Sequence, residues 1–301
     1  MFNQIPKSKK TMKTTRITLI AGAMTALAVS IQAQPSAHYA PGSEGIKAAS
    51  LPPPGVYFRD YNYFYWAGQF NNSTGDKAIS ADVFTYANLP RVMWITDTKF
   101  LGGFLGVDGF LPIGYQHVAV GGFNHSTTGI GDLYGEATLS WHVKRFDFAV
   151  ASGVDAPTGD SGIPHATTRL GGGYWTFMQT AGATWYVDEA KTWAVSALNR
   201  LEFNTQQRDV HVTPGDAWTL EWGISKSVCK EADLGIVGYY QRQVTASSNK
   251  DSLNSVAAVG PEVSCMFPKQ MLFVSLRYNY EFMAKNRAQG NAVTLTLTKA
   301  F

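Results

Sequence analysis

The stretch QMLFVSLRYNYEFMAKNRAQGNAVTLTLTKAF, residues 270–301, decides the fold of this chain. Apolar residues occupy every second position from Leu272 to Phe282 and again from Val293 to Leu297, with polar residues between them. A repeat of two residues is typical of a β-strand whose two faces meet different surroundings. A polar bend at residues 284–290 separates the two arms. The stretch therefore predicts a β-hairpin with an apolar face that lipid could cover, as in outer-membrane barrels.

The composition supports a membrane barrel rather than a soluble domain. Only 16% of the 301 residues are charged and 13% are aromatic, whereas soluble domains average about 25% charged residues. Half of each strand of a membrane barrel faces lipid, which favours this composition. No segment after the N-terminus has the run of about 18 apolar residues that a membrane-spanning helix needs.

The N-terminus has the pattern of a secretory signal peptide. Basic residues at positions 7–16 precede the apolar stretch Ile17–Ile31, and Gln32-Ala33-Gln34 offers a cleavage site after Ala33. Removal of residues 1–33 takes away five of the 25 basic residues, leaving 20 against 22 acidic ones and a formal charge of −2. This charge gives no electrostatic support for a nucleic-acid partner. The expected location is the outer membrane of a Gram-negative bacterium, reached by export.

Two further segments follow the signal peptide. Residues 34–54 are rich in Pro, Ser and Ala and end in Leu51-Pro52-Pro53-Pro54-Gly55, which predicts an extended lead-in or a small plug inside the barrel. Residues 55–301 are predicted to form the barrel itself.

Twelve strands are predicted from Gly55 onward, and the connections between them alternate between short turns and longer polar loops. This alternation is typical of bacterial barrels with an even number of strands. Loops are predicted at residues 112–131 and 157–170 among others. The fold class is thus all-β, a transmembrane antiparallel barrel closed by pairing of the last strand with the first. The predicted strands are 56–70, 83–95, 99–111, 132–143, 146–156, 172–187, 191–204, 216–228, 233–245, 255–267 and the two arms of the terminal hairpin.

Aromatic residues are predicted to form two girdles, one at each membrane interface. Those beside short turns or at the C-terminus are Trp141, Phe146, Trp185, Trp193, Phe267 and Phe301. Those at the long-loop ends are Tyr63, Tyr65, Tyr174, Trp175, Phe203, Trp218, Tyr280 and Phe282.

Charged and polar residues on the strands are expected to face the lumen, because charges in lipid are costly. They suggest a moderately acidic, salt-bridged interior. Both a polar constriction in a pore and the ordinary filling of a barrel are compatible with this set. The lumen-facing candidates are Asp60, Asn62, Glu136, His142, Arg200, Glu202, Glu221, Glu262, Arg277 and Glu281.

The sequence offers no catalytic, cofactor or metal site. Ser140 and His142 share a strand face, but residues two apart on a strand lie about 7 Å from each other, beyond hydrogen-bond reach. The six histidines lack metal-ligand spacing, and Gly171-Gly172-Gly173 opens a strand rather than a phosphate-binding helix. Cys229 and Cys265 lie on predicted strands with another strand between them, roughly 10 Å apart, which is too far for a disulfide. No enzyme is predicted.

Several blocks resemble the outer-membrane proteins named for the meta-cleavage (MetA) pathway of phenol degradation, including the SphA-like branch. The likeness covers nearly all of the chain after the signal peptide. Lys299 departs from the terminal pattern of such barrels, which carries an apolar or aromatic residue there. The matching blocks are Pro52–Gly55, Gly129–Tyr134, Ala156–Asp160, residues 173–206, 213–223 and 256–264, and the terminal hairpin.

The resemblance implies an outer-membrane channel for small hydrophobic, aromatic or lipid-derived molecules, and it supplies no binding residues. The expected partners are outer-membrane lipid, a small-molecule solute and the barrel-assembly machinery, with the oligomeric state left open. Alternatives are a non-transporting structural or ligand-sensing protein and, less favoured, a lipid-modifying enzyme. The C-terminal assembly signal is predicted at Val293, Leu295, Leu297 and Phe301.

Overall fold

The computed structural model describes residues 37–160, 169–208, 211–249 and 252–301, so the predicted signal peptide lies outside the described residues. Antiparallel strands and one short 3₁₀ helix, Pro268–Gln270, make up its regular structure. No helix in the described part of the chain is long and apolar enough to cross a membrane. The strands are β1 Gly55–Asn71, β2 Lys77–Phe100, β3 Gly103–Phe110, β4 Ile113–Val120, β5 Phe123–Ile130, β6 Leu133–Val143, β7 Phe146–Ala156, β8 Thr176–Tyr186, β9 Trp193–Asn204, β10 Ala217–Cys229, β11 Ala232–Gln243, β12 Ser255–Phe267, β13 Leu272–Lys285 and β14 Ala288–Ala300.

These fourteen segments build a closed barrel of twelve strands, as the sequence predicted. The long strand β2 pairs with β3 near its C-terminal end and with β4 nearer its start, so β3 and β4 are successive parts of one barrel strand. In the same way β6 pairs with β3 and β5 pairs with β4, so β5 and β6 are successive parts of the next barrel strand. Strand β1 pairs with β2 on one side and with β14 on the other, which closes the sheet.

The predicted loop at residues 112–131 is wrong, because this stretch forms the hairpin β4–β5. Its turn, Gly121-Gly122, has φ values of 57° and 87°, as the tight turns of two-residue hairpins require. Among the described residues β5 pairs only with β4, so the hairpin extends the barrel wall at the loop end. Its arms lack the alternation of apolar residues that lipid imposes on the other strands. A loop was predicted here because this signal of a strand is absent.

The two faces of β13 and β14 differ in exposure, as the alternation of apolar and polar residues in the terminal hairpin predicted. Along β13, Ser275, Arg277, Asn279 and Glu281 are buried, whereas the residues that alternate with them, such as Leu276, are exposed. Along β14 the threonines are buried and Val293, Leu295 and Leu297 lie on the other, half-exposed face. The apolar face therefore points away from the lumen, where lipid can cover it.

The predicted aromatic girdles need one correction. Tyr63 and Tyr174 are buried, and Tyr65 donates a hydrogen bond to Glu281 at 2.9 Å, so these three tyrosines point into the barrel. Their hydroxyls can pair with polar lumen groups, which lipid would not provide. Exposed aromatic side chains at the loop end include Trp175, Phe203, Tyr280 and Phe282, and those at the turn end include Phe146, Trp185, Trp193, Phe267 and Phe301.

The topology predicts that the hairpin β4–β5 is dispensable for barrel closure. Replacement of residues 114–129 by Gly-Gly should leave the folded fraction unchanged, because these residues make no strand pairing with β7 to β14. The measurement is the heat-dependent mobility shift of the barrel in detergent gels.

Removal of a segment of equal length from the terminal hairpin, residues 278–293, is the matched control. It breaks the pairing of β14 with both β13 and β1 and should abolish the shifted, folded band. Loss of the folded band in both variants would contradict the assignment of β4–β5 as an extension.

Candidate functional site in the barrel lumen

The candidate site is built around residues 37–54, named here the N-terminal insert, which lie inside the barrel. The carbonyl of Tyr39 accepts from Gln241 at 3.0 Å, and that of Gly42 accepts from Thr294 at 3.2 Å. Nearer the turn end, Lys47 pairs with Asp233 at 2.7 Å. The insert therefore contacts strands around much of the barrel wall.

Buried carboxylates hold the backbone of the insert. Glu221 accepts three hydrogen bonds, from the Tyr39 hydroxyl at 2.6 Å, the Gly42 amide at 2.9 Å and the Glu44 amide at 3.1 Å. Glu202 accepts from the Tyr39 amide at 3.1 Å, and Glu262 accepts from the amide of Ile46 at 2.9 Å. An irregular segment inside a barrel has no strand partner for its amides, and carboxylates supply strong acceptors instead.

Arg277 on β13, the cross-strand neighbour of Glu262, also joins the wall to the insert. Its guanidinium donates to the carbonyls of Gly42 and Ser43, and it pairs with Glu262 at 3.3 Å. The structure thus brings five of the predicted lumen residues to a single segment: Glu202, Glu221, Glu262, Arg277 and, through the Tyr39 ring, Arg200. Glu281 lies apart and accepts hydrogen bonds from Tyr65, Tyr239 and Gly290.

A group of charged side chains, named here the arginine cluster, lies beside the insert. Its members are Arg59 on β1, Arg91 on β2, Asp108 on β3 and Glu136 on β6. Arg91 makes a bidentate pair with Asp108, with both distances 2.8 Å, and also pairs with Glu136. Glu44 of the insert lies 3.8 Å from Arg91 and 3.6 Å from Arg59. Burial raises the pKa of Glu44, but the nearby arginines outweigh this effect and hold the pKa below its usual value.

Sequence reasoning missed Arg59, Arg91, Asp108 and Glu44. The cost of a charge in lipid, which selected the other candidates, applies equally to Arg59 and Arg91 and could have found them. Glu44 could not be found in this way, because it belongs to a segment without strand periodicity. Arg200, which was predicted, lies with its guanidinium 4.3 Å from the centre of the Tyr39 ring and donates to Thr180 at 3.1 Å.

Two predicted lumen residues, Asp60 and Asn62, lie on the opposite, outward face of β1. Arg59 and Tyr61 on that strand contact Glu44 inside the barrel, so the alternate residues face outward. There Asp60 accepts from Asn62 at 2.9 Å and from Asn88 at 2.7 Å. The prediction went wrong because aromatic residues occupy both faces of β1 and obscure its alternation.

Ser140 and His142 do not form a catalytic pair. The Ser140 hydroxyl is buried and has no hydrogen-bond partner in the described part of the chain. His142 lies at the turn end of β6 and bonds instead to Asp147 at 2.8 Å. Within the described residues no group of histidine, cysteine and carboxylate side chains could hold a metal ion.

His38 fixes the loop end of the insert. Its Nε2 lies 2.9 Å from Asp132, and its Nδ1 lies 2.5 Å from the Thr176 hydroxyl. Asp132 follows β5 at the irregularity between β5 and β6, and it also accepts from the amides of Gly159 and Gly172 at 2.8 and 2.6 Å. One carboxylate therefore ties the insert to both described ends of the loop between β7 and β8.

Cavities lie on both sides of the arginine cluster. The loop-side cavity, about 190 Å³, is lined by His38 to Glu44 of the insert and by apolar residues such as Leu89, Phe110 and Met178. The turn-side cavity, about 590 Å³, is lined by the insert from Glu44 to Pro53 and by the turn ends of β12 to β14. Glu44 lines both cavities, and with Arg59 and Arg91 it also lines a third cavity of about 60 Å³ at the arginine cluster. The insert and the arginine cluster therefore lie between the two larger cavities.

Comparison with solved structures gives the same architecture. The outer-membrane channel COG4313 from Pseudomonas putida F1 superposes with a TM-score of 0.76 at 14% identity, over 87% of this chain and 100% of that one. The β-domain of the Bordetella autotransporter Brka gives a TM-score of 0.53 at 12% identity, over 83% of this chain and 100% of that one. No curated protein matches the chain.

A closed antiparallel barrel with an apolar outer face is an outer-membrane β-barrel, and this chain is one. Residues 67–297 match the model of the family described as "Putative MetA-pathway of phenol degradation". The chain belongs to this family, which agrees with the resemblance of its sequence blocks.

The arginine cluster predicts a strong effect of Arg91→Ala on stability. The substitution leaves Asp108, Glu136 and Glu44 without their shared cation, and breaking a buried ion pair in this way costs about 3–5 kcal/mol. The free energy of unfolding, measured by urea titration of the barrel in detergent, should fall by that amount.

The control for Arg91→Ala is Arg145→Ala. Arg145 is exposed and donates to the Val187 carbonyl at a turn, so its loss should change the unfolding free energy by less than about 1 kcal/mol. Equal effects of the two substitutions would show that the cluster does not stabilise the barrel.

The environment of His38 predicts that the stabilisation this residue provides depends on pH. Burial lowers the pKa of His38, but the hydrogen bond to Asp132 and the charges of Asp155 and Glu202 outweigh it, so the pKa is raised. A raised pKa means that the stabilisation is fully present below the unfolded value of about 6.5 and is lost as the pH rises through the folded value.

The measurement for this prediction is the difference in unfolding free energy between the wild type and His38→Gln. This difference should be largest below about pH 6.5 and shrink at higher pH. A difference that grows with pH would mean that His38 is bound in its neutral form.

Proposed function

We propose that this protein is an outer-membrane channel for small hydrophobic or aromatic molecules, with the N-terminal insert as its internal gate. The observation that carries the proposal is that Glu44 of the insert lines both of the larger lumenal cavities, one on the loop side and one on the turn side. The family description supports the substrate class, because it refers to phenol degradation.

The loop-side cavity is suited to capture an apolar solute. An engineered apolar cavity of about 150 Å³ is large enough to bind benzene, and the loop-side cavity has about 190 Å³. Its walls include Phe110 and Tyr134, whose rings pack with centroids 4.9 Å apart. A one-ring molecule could therefore transfer from water into this cavity with little loss of hydrogen bonding.

Passage from the loop-side to the turn-side cavity requires movement of the insert. The ion pairs and hydrogen bonds of Glu44 with Arg59, Arg91 and Tyr61 lie at the boundary of the two cavities. A displacement of the insert by a few ångströms would open this boundary without any change in the barrel wall. Diffusion of the solute would then complete transport.

A ligand-sensing protein without transport is the second candidate. It is favoured by the number of hydrogen bonds that fix the insert, including three to Glu221 alone. In that case a solute in the loop-side cavity would move the insert without passing it.

Deletion of the insert distinguishes these candidates. A variant without residues 38–50 should conduct ions through planar bilayers several-fold better than the wild type, because the segment between the two cavities is gone. An aromatic solute such as phenol should block the wild-type current transiently if it passes through the same lumen.

The matched control is a deletion of residues 73–75, in the exposed turn between β1 and β2. This deletion should leave conductance unchanged. If neither the wild type nor the insert deletion conducts, the channel proposal fails and the sensing role is favoured.

A further inference from the structure

We propose that the loop-side cavity selects aromatic molecules that carry a hydrogen-bond donor, a hydroxyl or a protonated amine, and that Asp155 is the residue that receives this donor. The proposal rests on the proposed function and names the chemical feature that its substrate must carry.

The side chain of Asp155 is buried and incompletely paired. The residue is 6% exposed, and its Oδ2 atom has no hydrogen-bond partner among the described residues. It lies near the loop end of β7 and lines the loop-side cavity. A buried polar atom without a partner is costly, and sites that bind a polar ligand group commonly contain one.

The surroundings of Asp155 combine one acidic end with apolar walls. Its cross-strand neighbours are Tyr134 and Thr176. Tyr134 donates its hydroxyl to Glu136 at 2.7 Å, and Thr176 donates to Asn204 at 2.6 Å. These two hydroxyl donors are thus engaged elsewhere, and the unpaired Oδ2 of Asp155 can accept a donor from a ligand.

The charges around the cavity disfavour an anionic ligand. Asp132, Asp155 and Glu202 surround His38, and Asp132 takes the hydrogen bond of the imidazole. Arg91 and Arg200 also line the cavity. Arg91 is paired with Asp108 and Glu136, and the Arg200 guanidinium faces the Tyr39 ring with its Nε 4.0 Å from Glu221. A carboxylate on the ligand would therefore meet like charge at the acidic end.

The volume of the cavity limits the size of the ligand. At about 190 Å³ the cavity holds one aromatic ring and a short substituent, by comparison with the roughly 150 Å³ that accommodates benzene. The ring would lie against Phe110 and Met178, and the donor would point to Asp155.

The experiment compares four one-ring probes on the full chain in lipid nanodiscs at pH 8. The probes are benzylamine, benzyl alcohol, toluene and benzoate, with binding measured by calorimetry and corrected by titration of empty nanodiscs. Benzylamine and benzyl alcohol should bind at least about tenfold more tightly than toluene, since a hydrogen bond to a charged group contributes that much or more. Benzoate should bind most weakly.

Two substitutions on the same strand test the role of Asp155. Asp155→Asn should remove the preference for benzylamine over toluene. Asp147→Asn is the matched control, because Asp147 is also buried on β7 but is bonded to His142 and Tyr186 at the far end of the strand. It should leave the preference unchanged.

The outcomes separate this inference from the proposed function. Equal binding of all four probes to the wild type, or an unchanged preference in Asp155→Asn, would overturn the selection of donors while leaving a channel possible. A protein that binds none of the probes and carries no current would overturn the proposed function itself. The wild-type comparison decides the inference even if a variant does not fold.

Discussion

The structure depends on the requirement that backbone amides and carbonyls in hydrocarbon be hydrogen-bonded within the protein. Strand β1 satisfies this by pairing with β2 on one side and β14 on the other, so that the sheet has no free edge at membrane depth. Closure turns one face of every strand toward an enclosed lumen and the other toward lipid. The division into polar and apolar faces follows from that geometry.

The lumen is in turn shaped by a segment that has no strand partner. Residues 37–54 must find acceptors for their amides inside the barrel, and Glu202, Glu221 and Glu262 provide them. A sequence with several lumenal glutamates suggests an acidic pore. In the folded protein most of these carboxylates bind the insert or an arginine. Asp155 and Glu202 each keep one unpaired oxygen atom, and of the two Asp155 lines the loop-side cavity.

The sequence predicted the barrel well where one face meets lipid and the other meets the lumen. The terminal hairpin has this clean alternation, and its two faces lie as expected. The prediction failed in residues 112–131, where the hairpin β4–β5 lacks an apolar alternation, and at Asp60 and Asn62, where aromatic residues occupy both faces. Strand periodicity is informative only when the environments on the two faces differ.

The sequence by itself determined the closed barrel of twelve strands and the family, because local alternation and turn chemistry are repeated along the chain. Only the tertiary structure decided that Glu44, Arg59 and Arg91 meet between two cavities and that Asp155 lines one of them. These residues are far apart in sequence and lie on the insert and on several different strands. Their proximity depends on the register of the strands and on the path of the insert. The alternation of residues within a single strand determines neither.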